Sequence, residues 1–198
     1  SQLAKIVSSV DLLSGGRTIL GVGAGWHRPE FDGFSEWLPT GKRVAQTSEA
    51  LELITTLWGG GTSDFNGTYF SSKGAEILPS PVQKPHPPMW FGVKGPKMME
   101  LAALYGDGWI PTNITPSDYA CGLQKLHEIR TDNGIREDIK GALQNFEVFT
   151  DASLCLETIC EYRDAGCEYY GPIWSYPPDE MISRIHWFAE NVMSSNEL

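Results

Sequence analysis

Strand and helix signals alternate regularly through the second half of this 198-residue chain. Apolar runs at 89–92, 108–111, 142–149 and 168–174 predict strands, and helical patterns follow them at 96–105, 116–133, 152–165 and 178–192. The helix over 116–133 is well marked, because Thr115 can cap it, Pro116 holds its first position and Gly134 follows its end. This alternation predicts an α/β fold with parallel strands covered by helices.

The segment 18–30, TILGVGAGWHRPE, predicts a further buried strand that ends in the alternating glycines Gly21, Gly23 and Gly25. Glycines at a strand end let a ligand approach the backbone closely. A dinucleotide fingerprint, G-x-G-x-x-G, needs a third glycine where this chain has Trp26, and Pro29 follows too soon for a helix to begin cleanly. The segment is therefore expected to hold a flat or phosphate-bearing group without being a Rossmann site.

The stretch between this strand and residue 89 interrupts the alternation. It predicts an irregular aromatic segment at 26–40, a helix over 42–58, and a hairpin at 65–69 whose Asn-Gly pair favours a type I′ turn. The proline-rich run 79–88 is expected to be an extended arm across the surface, because each proline removes a ladder donor from a strand.

Charge and cysteine content exclude several classes of partner. The formal net charge of −10 argues against nucleic acid or an anionic membrane, since both favour a basic surface. No uncharged apolar run reaches the roughly 18 residues of a membrane span. The cysteines lack metal-ligand spacing and fit reduced thiols, so a cytoplasmic protein without a metal site is expected. They are Cys121, Cys155, Cys160 and Cys167.

Several separate motifs follow one another in the first 112 or so residues. They are the segments 12–17, 21–26 and 30–31, Arg43 with 49–53, and the segments 65–70, 79–88 and 106–109. In this order they resemble the bacterial-luciferase-like oxidoreductases. The resemblance implies a TIM-type (β/α) barrel that uses the deazaflavin coenzyme F-420 or FMN, acts on a small-molecule substrate and forms a homodimer.

The chain is short for such a barrel, which needs about 250 residues. Its opening segment 3–7 is typical of the middle of a helix without an N-cap. We therefore expect one domain over residues 1–198, an incomplete barrel that begins inside the third helix and lacks the first three strands. It would keep about five of eight β/α units, with an insertion after its first strand.

Active sites of such barrels lie at the carboxyl ends of the strands. Gly92, Val93, Lys94 and Gly95 join a predicted strand to a helix start, where free N–H groups and the helix dipole favour a phosphate. The resemblance places the cofactor phosphate at the same turn, although Val93 and Lys94 stand where Gly and Ser are commoner. Lys94 and Lys97 would supply compensating charge; the alternative is two solvated lysines beside a tight turn.

The resemblance also implies that Ala24, Gly25 and Trp26 lie along the isoalloxazine or deazaflavin ring. Trp26 stands where related sugar-phosphate dehydrogenases carry a proton-donating glutamate, so that role is not inherited. Trp26 is expected to wall the pocket, with an ordinary core position as the alternative. His27 is the candidate for proton transfer, with a structural role as the alternative.

Two acidic residues complete the candidates. Glu30 is expected to form a salt bridge with Arg28 or Arg43. Asp107, between two glycines, is expected to fix the turn into the next strand, in a region that the family brings near the cofactor.

The sequence leaves three functions open. The first is an oxidoreductase that transfers a hydride between coenzyme F-420 and a small organic substrate, with the protein supplying orientation and a shielded pocket. The second is an FMN-dependent monooxygenase that uses molecular oxygen. The third is a catalytically inactive barrel fragment used for binding or assembly, because an open barrel leaves strand edges unpaired.

Overall fold

The computed structural model describes residues 1–145, 150–172, 174 and 176–195. Strands and helices alternate along these residues as the sequence predicted, with an insertion after the first strand. In chain order the elements are α1 Gln2–Ser14, β1 Leu20–Val22, α2 Arg28–Asp32, α3 Thr40–Trp58, β2 Ser63–Asn66, β3 Ser71–Ala75, β4 Met89–Phe91, α4 Pro96–Tyr105, β5 Gly108–Trp109, α5 Pro116–Asp132, β6 Lys140–Asn145, α6 Ala152–Asp164, β7 Tyr169–Pro172, α7 Pro178–Phe188 and a π-helical turn Ala189–Met193.

The main sheet is parallel, with the strand order β1-β4-β5-β6-β7. This confirms the prediction of an α/β fold with a parallel sheet. Among the described residues β1 and β7 are the two edges, so the sheet is open and does not close into a barrel. The expectation of five units out of eight stays a prediction.

One face of the sheet packs against the helices and forms the core. Met89, Phe91 and Trp109 are almost completely buried there, together with Leu57 and Leu126 from α3 and α5. Alternate residues of a strand point to opposite faces, so this face takes every second side chain of β4. The indole N–H of Trp58 donates to the carbonyl of Ala4 at 3.0 Å and joins the end of α3 to α1.

The opposite face of the sheet carries large rings over small residues. Trp90 lies between the buried Met89 and Phe91 and therefore points away from the helices. Its ring covers Gly108 on the next strand, where an added Cβ would come within 2.6 Å of the indole. The same ring contacts that of Tyr169 on β7, with 5.3 Å between the centroids.

The hydroxyl of Thr115 caps α5 as predicted and accepts from the Asp118 N–H at 3.2 Å. The carboxylate of Asp151 caps α6 and accepts from the Leu154 N–H at 3.1 Å. The predicted helix 178–192 is α-helical only to Phe188 and continues as a π-helical turn. Residues 146–149 of the predicted strand 142–149 lie outside the described part of the chain.

The predicted type I′ turn at Asn66-Gly67 is wrong. Strands β2 and β3 do form an antiparallel hairpin, but Gly67 has no positive φ angle, and its N–H donates to the carbonyl of Phe70 across a longer loop. The carboxylate of Glu49 on α3 accepts from the N–H groups of Thr68, Tyr69 and Phe70, at 2.6 to 2.8 Å. Desolvation alone would raise the pKa of Glu49, but these three N–H groups outweigh it and hold that pKa below its usual range.

The proline-rich segment 79–88 forms no strand, as predicted, and lies against the amino-terminal edge of the sheet. The Leu20 N–H donates to the carbonyl of Pro88 at 2.8 Å. The buried carboxylate of Asp11 on α1 accepts from the N–H groups of Val82 and Gln83 at 2.8 and 3.0 Å, and from the Gln83 side-chain amide at 2.7 Å. A charged group from α1 therefore fixes the arm.

Candidate functional site

Two predicted site segments meet at the carboxyl edge of the sheet. Val22 and Phe91 are register partners at the ends of β1 and β4, and the N–H of Gly92 donates to the carbonyl of Val22 at 3.0 Å. The loops that follow, 23–27 and 92–95, therefore leave the sheet side by side. This is the edge at which a (β/α) fold places its active site.

The loop 92–95 ends at the open amino terminus of α4. Gly95 is the N-cap in an extended conformation, and no side chain caps the helix. A Cβ built on Gly95 would have no neighbour within 4 Å, so the backbone faces open space. An uncapped helix start leaves N–H groups and the positive end of the helix dipole available to an anion.

Two lysines stand beside this helix start. Lys94 and Lys97 are both exposed. The ammonium of Lys94 donates to the carbonyl of Asn113 at 3.3 Å, which joins the loop to the segment after β5. Asn113 has a positive φ angle of 50°, a rare conformation for a residue other than glycine. The lysines thus add positive charge to the end of α4 that already favours an anion.

Val93 contributes its backbone and not its side chain to the loop. Its side chain is buried in the main core. Its carbonyl accepts from the indole N–H of Trp109, a buried residue of β5, at 2.7 Å. The unusual valine of this turn is therefore an anchor that faces inward.

The loop 23–27 differs from the expectation of an open glycine-lined surface. A Cβ added to Gly23 would meet nothing within 4 Å, whereas one added to Gly25, which is itself exposed, would lie 2.4 Å from the ring of Phe31. Gly25 also has a φ angle of +80°, which disfavours other residues. The close approach at Gly25 is thus made by the protein's own Phe31, while Ala24 is half-buried against the core.

Trp26 and His27 stand together at the rim of this loop. Trp26 is 84% exposed, so it is not a core residue. Its ring meets the His27 ring edge-on, with 4.9 Å between the centroids. His27 is half-buried at the N-cap of α2, and its ring makes no hydrogen bond to the described part of the chain.

The structure does not bring Asp107 to this site. The carboxylate of Asp107 accepts from the N–H of Met89 at 2.9 Å, at the starts of β4 and β5. Its backbone N–H also donates to the carbonyl of Met89. Asp107 thus fixes the turn into β5, as expected, but at the amino-terminal edge, away from the other candidates; its expected place near the cofactor is not supported.

The expected salt bridge of Glu30 is not formed. Arg28 pairs with Asp32 instead, at 3.2 Å within α2, and Arg43 donates to backbone carbonyls.

Four residues that support these loops were not singled out as site residues from the sequence. They are Phe31, Trp37, Arg43 and Trp109. The density of aromatic residues between 26 and 37 was a usable signal for local ring contacts, although only Phe31 and Trp37 of its four large rings pack together. Their contacts could not be assigned without coordinates.

The donor set suits an anionic organic group better than a metal ion. No group of three or more His, Cys, Asp or Glu side chains with metal-binding geometry occurs among the described residues. None of the helices in the described part of the chain could serve as a membrane span. The site instead offers backbone N–H groups, two lysines and the aromatic rim.

The family of this chain follows from a match to a family sequence model. The sequence model of the luciferase-like monooxygenases matches residues 1–172. The chain belongs to this family.

Two curated relatives match part of this chain. The chain is 33% identical over 111 residues to the F-420-dependent glucose-6-phosphate dehydrogenase of Microbacterium testaceum, covering 56% of this chain and 32% of that protein. It is 32% identical over 134 residues to the phthiodiolone/phenolphthiodiolone dimycocerosates ketoreductase of Mycobacterium bovis, covering 66% of this chain and 34% of that protein. The chain therefore spans about a third of the length of these curated relatives.

A solved structure shares the fold over nearly the whole chain. It is an F-420-dependent secondary alcohol dehydrogenase in complex with an F-420–acetone adduct, and it superimposes with a TM-score of 0.83 at 20% sequence identity. The superposition covers 97% of this chain and 74% of that chain. This similarity establishes the fold class of the luciferase-like family for the present chain.

Proposed function

We propose that this chain belongs to an F-420-dependent oxidoreductase that transfers a hydride between the deazaflavin and a small organic substrate. The observation that carries the proposal is the uncapped start of α4 at Gly95, together with the open backbone of Gly23 in the loop after the neighbouring strand β1. The names of relatives support the coenzyme, since the sequence relative from Microbacterium testaceum and the solved alcohol dehydrogenase are both called F-420-dependent.

The residues at this edge fit the coenzyme in two ways. The open N–H groups at the start of α4, with Lys94 and Lys97 beside them, would hold its phosphate and its anionic arm. The open backbone at Gly23 leaves room for a flat ring against β1. When bound, the coenzyme would supply the hydride acceptor or donor, and the protein would supply orientation and shielding from water.

The protein's own residues would act on the substrate from the rim. The exposed ring of Trp26 would form an apolar wall of the substrate pocket. His27, whose ring is free of hydrogen bonds to the described residues, would hold or accept the proton of the reacting hydroxyl group. Ala24, Gly25, Gly92 and Val93 would contribute backbone surface, and Asp107 has no part in this proposal.

Further features remain predictions that go with this proposal. They are a cytoplasmic location, one domain over residues 1–198, a homodimer, and a small-molecule substrate in place of a nucleic acid or membrane partner. FMN as the coenzyme of an oxygen-using monooxygenase, which the family's name keeps open, and an inactive barrel fragment are the alternatives to the proposed function.

A titration with both coenzymes tests the proposal. The purified chain is titrated with F-420 and, separately, with FMN, and binding is followed by quenching of coenzyme fluorescence. Saturable binding of F-420 with weaker binding of FMN supports the proposal, and reduction of bound F-420 by one of a panel of alcohols completes it. Preference for FMN would favour the monooxygenase, and binding of neither coenzyme would favour the inactive fragment.

A further inference from the structure

Arg43 is a buried cation without a carboxylate partner among the described residues. Its side chain, on the first turn of α3, is 8% exposed. Burial of an unpaired charge is costly, so such a group must be held by dipoles or rings. The guanidinium donates to the carbonyl of Ala24 at 3.1 Å, to the carbonyl of Leu38, and to the hydroxyl of Thr40 at 3.4 Å.

These bonds tie together the two ends of the segment that carries the rim residues. Ala24 precedes Gly25 and Trp26, whereas Leu38 lies at the other end of the aromatic segment. One guanidinium therefore holds the chain where it leaves β1 and where it returns to α3. A planar fork with several donors can do this, while an ammonium group presents a single point of charge.

A chain of aromatic contacts leads from Arg43 to the same loop. The guanidinium carbon lies 3.7 Å from the centroid of the Trp37 ring, a cation–π contact. Trp37 meets Phe31 edge-on, with 5.0 Å between the centroids. Phe31 fills the space beside Gly25, where the positive φ angle turns the chain toward Trp26.

We infer that Arg43 is a positioning residue, which sets the place of Trp26 and His27 at the rim through the Ala24 carbonyl and through the edge-on contact of Trp37 with Phe31. The role of Trp26 and His27 at the substrate rests on the proposed function, but the effect of Arg43 on the position of their loop can be tested without any coenzyme. Arg43 is assigned no contact with the substrate, because it is buried and each of its three guanidinium nitrogens already donates, to Ala24, Leu38 and Thr40.

The test compares Arg43→Lys with Arg43→Gln and with the control Arg136→Lys, which changes an exposed arginine between α5 and β6. Amide hydrogen exchange is measured at 24–27 and, for comparison, at 89–91 of β4. We expect exchange at 24–27 to rise about tenfold in Arg43→Lys while 89–91 keeps its wild-type rate, as loss of a charge-assisted hydrogen bond would produce. The control is expected to leave both segments unchanged.

Coenzyme binding provides the second measurement. Titration with F-420 is expected to give a dissociation constant about tenfold weaker for Arg43→Lys, with an altered absorption band of the bound deazaflavin. Unchanged exchange at 24–27, or an equal rise at 89–91, would overturn the inference, because Arg43 would then be dispensable or a general anchor of the fold. Faster exchange at 24–27 alone, with coenzyme affinity and absorption band as in the wild type, would also overturn the inference, because Arg43 would then hold the loop without affecting the site.

The outcomes separate this inference from the proposed function. If the unaltered chain does not bind F-420, the proposed function fails, and the exchange measurement still decides whether Arg43 positions the loop. If Arg43→Lys does not fold, Trp37→Leu removes the ring under the guanidinium without removing a charge. The same selective rise at 24–27 is then expected, and its absence overturns the inference.

Discussion

The indole N–H of Trp109 donates to the carbonyl of Val93, with 2.7 Å between nitrogen and oxygen. Trp109 lies on β5, in the middle strand of the sheet, and Val93 precedes the start of α4. Both residues are buried, so the bond is shielded from water. The geometry of the loop that offers N–H groups to an anion thus depends on a side chain from the neighbouring strand.

Replacement of Trp109 by Phe removes this bond and leaves a buried carbonyl without its donor. We expect the free energy of unfolding to fall by about 1–3 kcal/mol, the usual cost of an unsatisfied buried polar group, and urea denaturation measures it. Trp90→Phe is the control, because its indole makes no hydrogen bond to the described residues. An equal loss of stability in both variants would show that ring size, and not the bond to Val93, is responsible.

Lys97→Ala removes one positive charge from the first turn of α4. If a phosphate or carboxylate arm binds there, affinity for F-420 should fall about fivefold at low salt, and the difference should shrink as salt is added. Fluorescence titration at two ionic strengths measures this. Lys125→Ala on α5 removes an exposed charge elsewhere and is expected to have no effect. Wild-type affinity in Lys97→Ala would remove this residue from the proposed site.

His27→Gln removes a group that can transfer a proton near neutral pH. With a substrate identified by the alcohol panel, kcat is expected to fall about 100-fold while coenzyme affinity is retained. His127→Gln on the exposed side of α5 is the matched control. Retention of the full rate in His27→Gln would assign His27 a structural role.

Asp11→Asn tests the link between α1 and the proline-rich arm. Desolvation by burial raises the pKa of Asp11, but the N–H groups of Gln83 and Val82 outweigh it and bring that pKa below its ordinary value of 3.8. A carboxyl group with a depressed pKa in the folded state stabilises it above the ordinary value, and this contribution is lost as the pH falls through the depressed pKa.

We therefore expect Asp11→Asn to be less stable than the unaltered chain at pH 7, by about 1–3 kcal/mol, because charge-assisted bonds are lost. The gap in unfolding free energy between the two proteins should narrow as the pH falls below about 4, where Asp11 becomes protonated on unfolding. Thermal unfolding across this range measures the gap. Asp132→Asn, an exposed change on α5, is expected to show no gap. A gap for Asp11→Asn that stays constant down to pH 2 would contradict this explanation.

Much of the fold could be predicted because its signals are local. Thr115 and Pro116 mark the start of α5 within two residues, and Gly134 with its positive φ angle marks the end. The order of strands and helices followed from such signals, together with the parallel arrangement that alternation requires. The meeting of the loops after β1 and β4 also followed, since carboxyl ends of parallel strands share an edge.

The remaining errors involve contacts between segments that are distant in sequence or whose packing leaves no local pattern. The turn after Asn66 takes its shape from Glu49, on another element, so the Asn-Gly pair alone gave the wrong turn type. Gly25 was interpreted as an opening for a ligand, whereas Phe31 fills the space beside it. Asp107 precedes the predicted strand 108–111, so the parallel arrangement already favoured the amino-terminal edge, and its bond from the Met89 N–H places it there.

The ring of Trp90, which lies across Gly108 and contacts Tyr169, couples three strands on one face of the sheet. A methyl group at position 108 would displace the indole, and the displaced indole would disturb the tyrosine on β7. Mutagenesis of this face should therefore vary positions 90, 108 and 169 together, since libraries that randomise them one at a time would discard combinations that only work as a set.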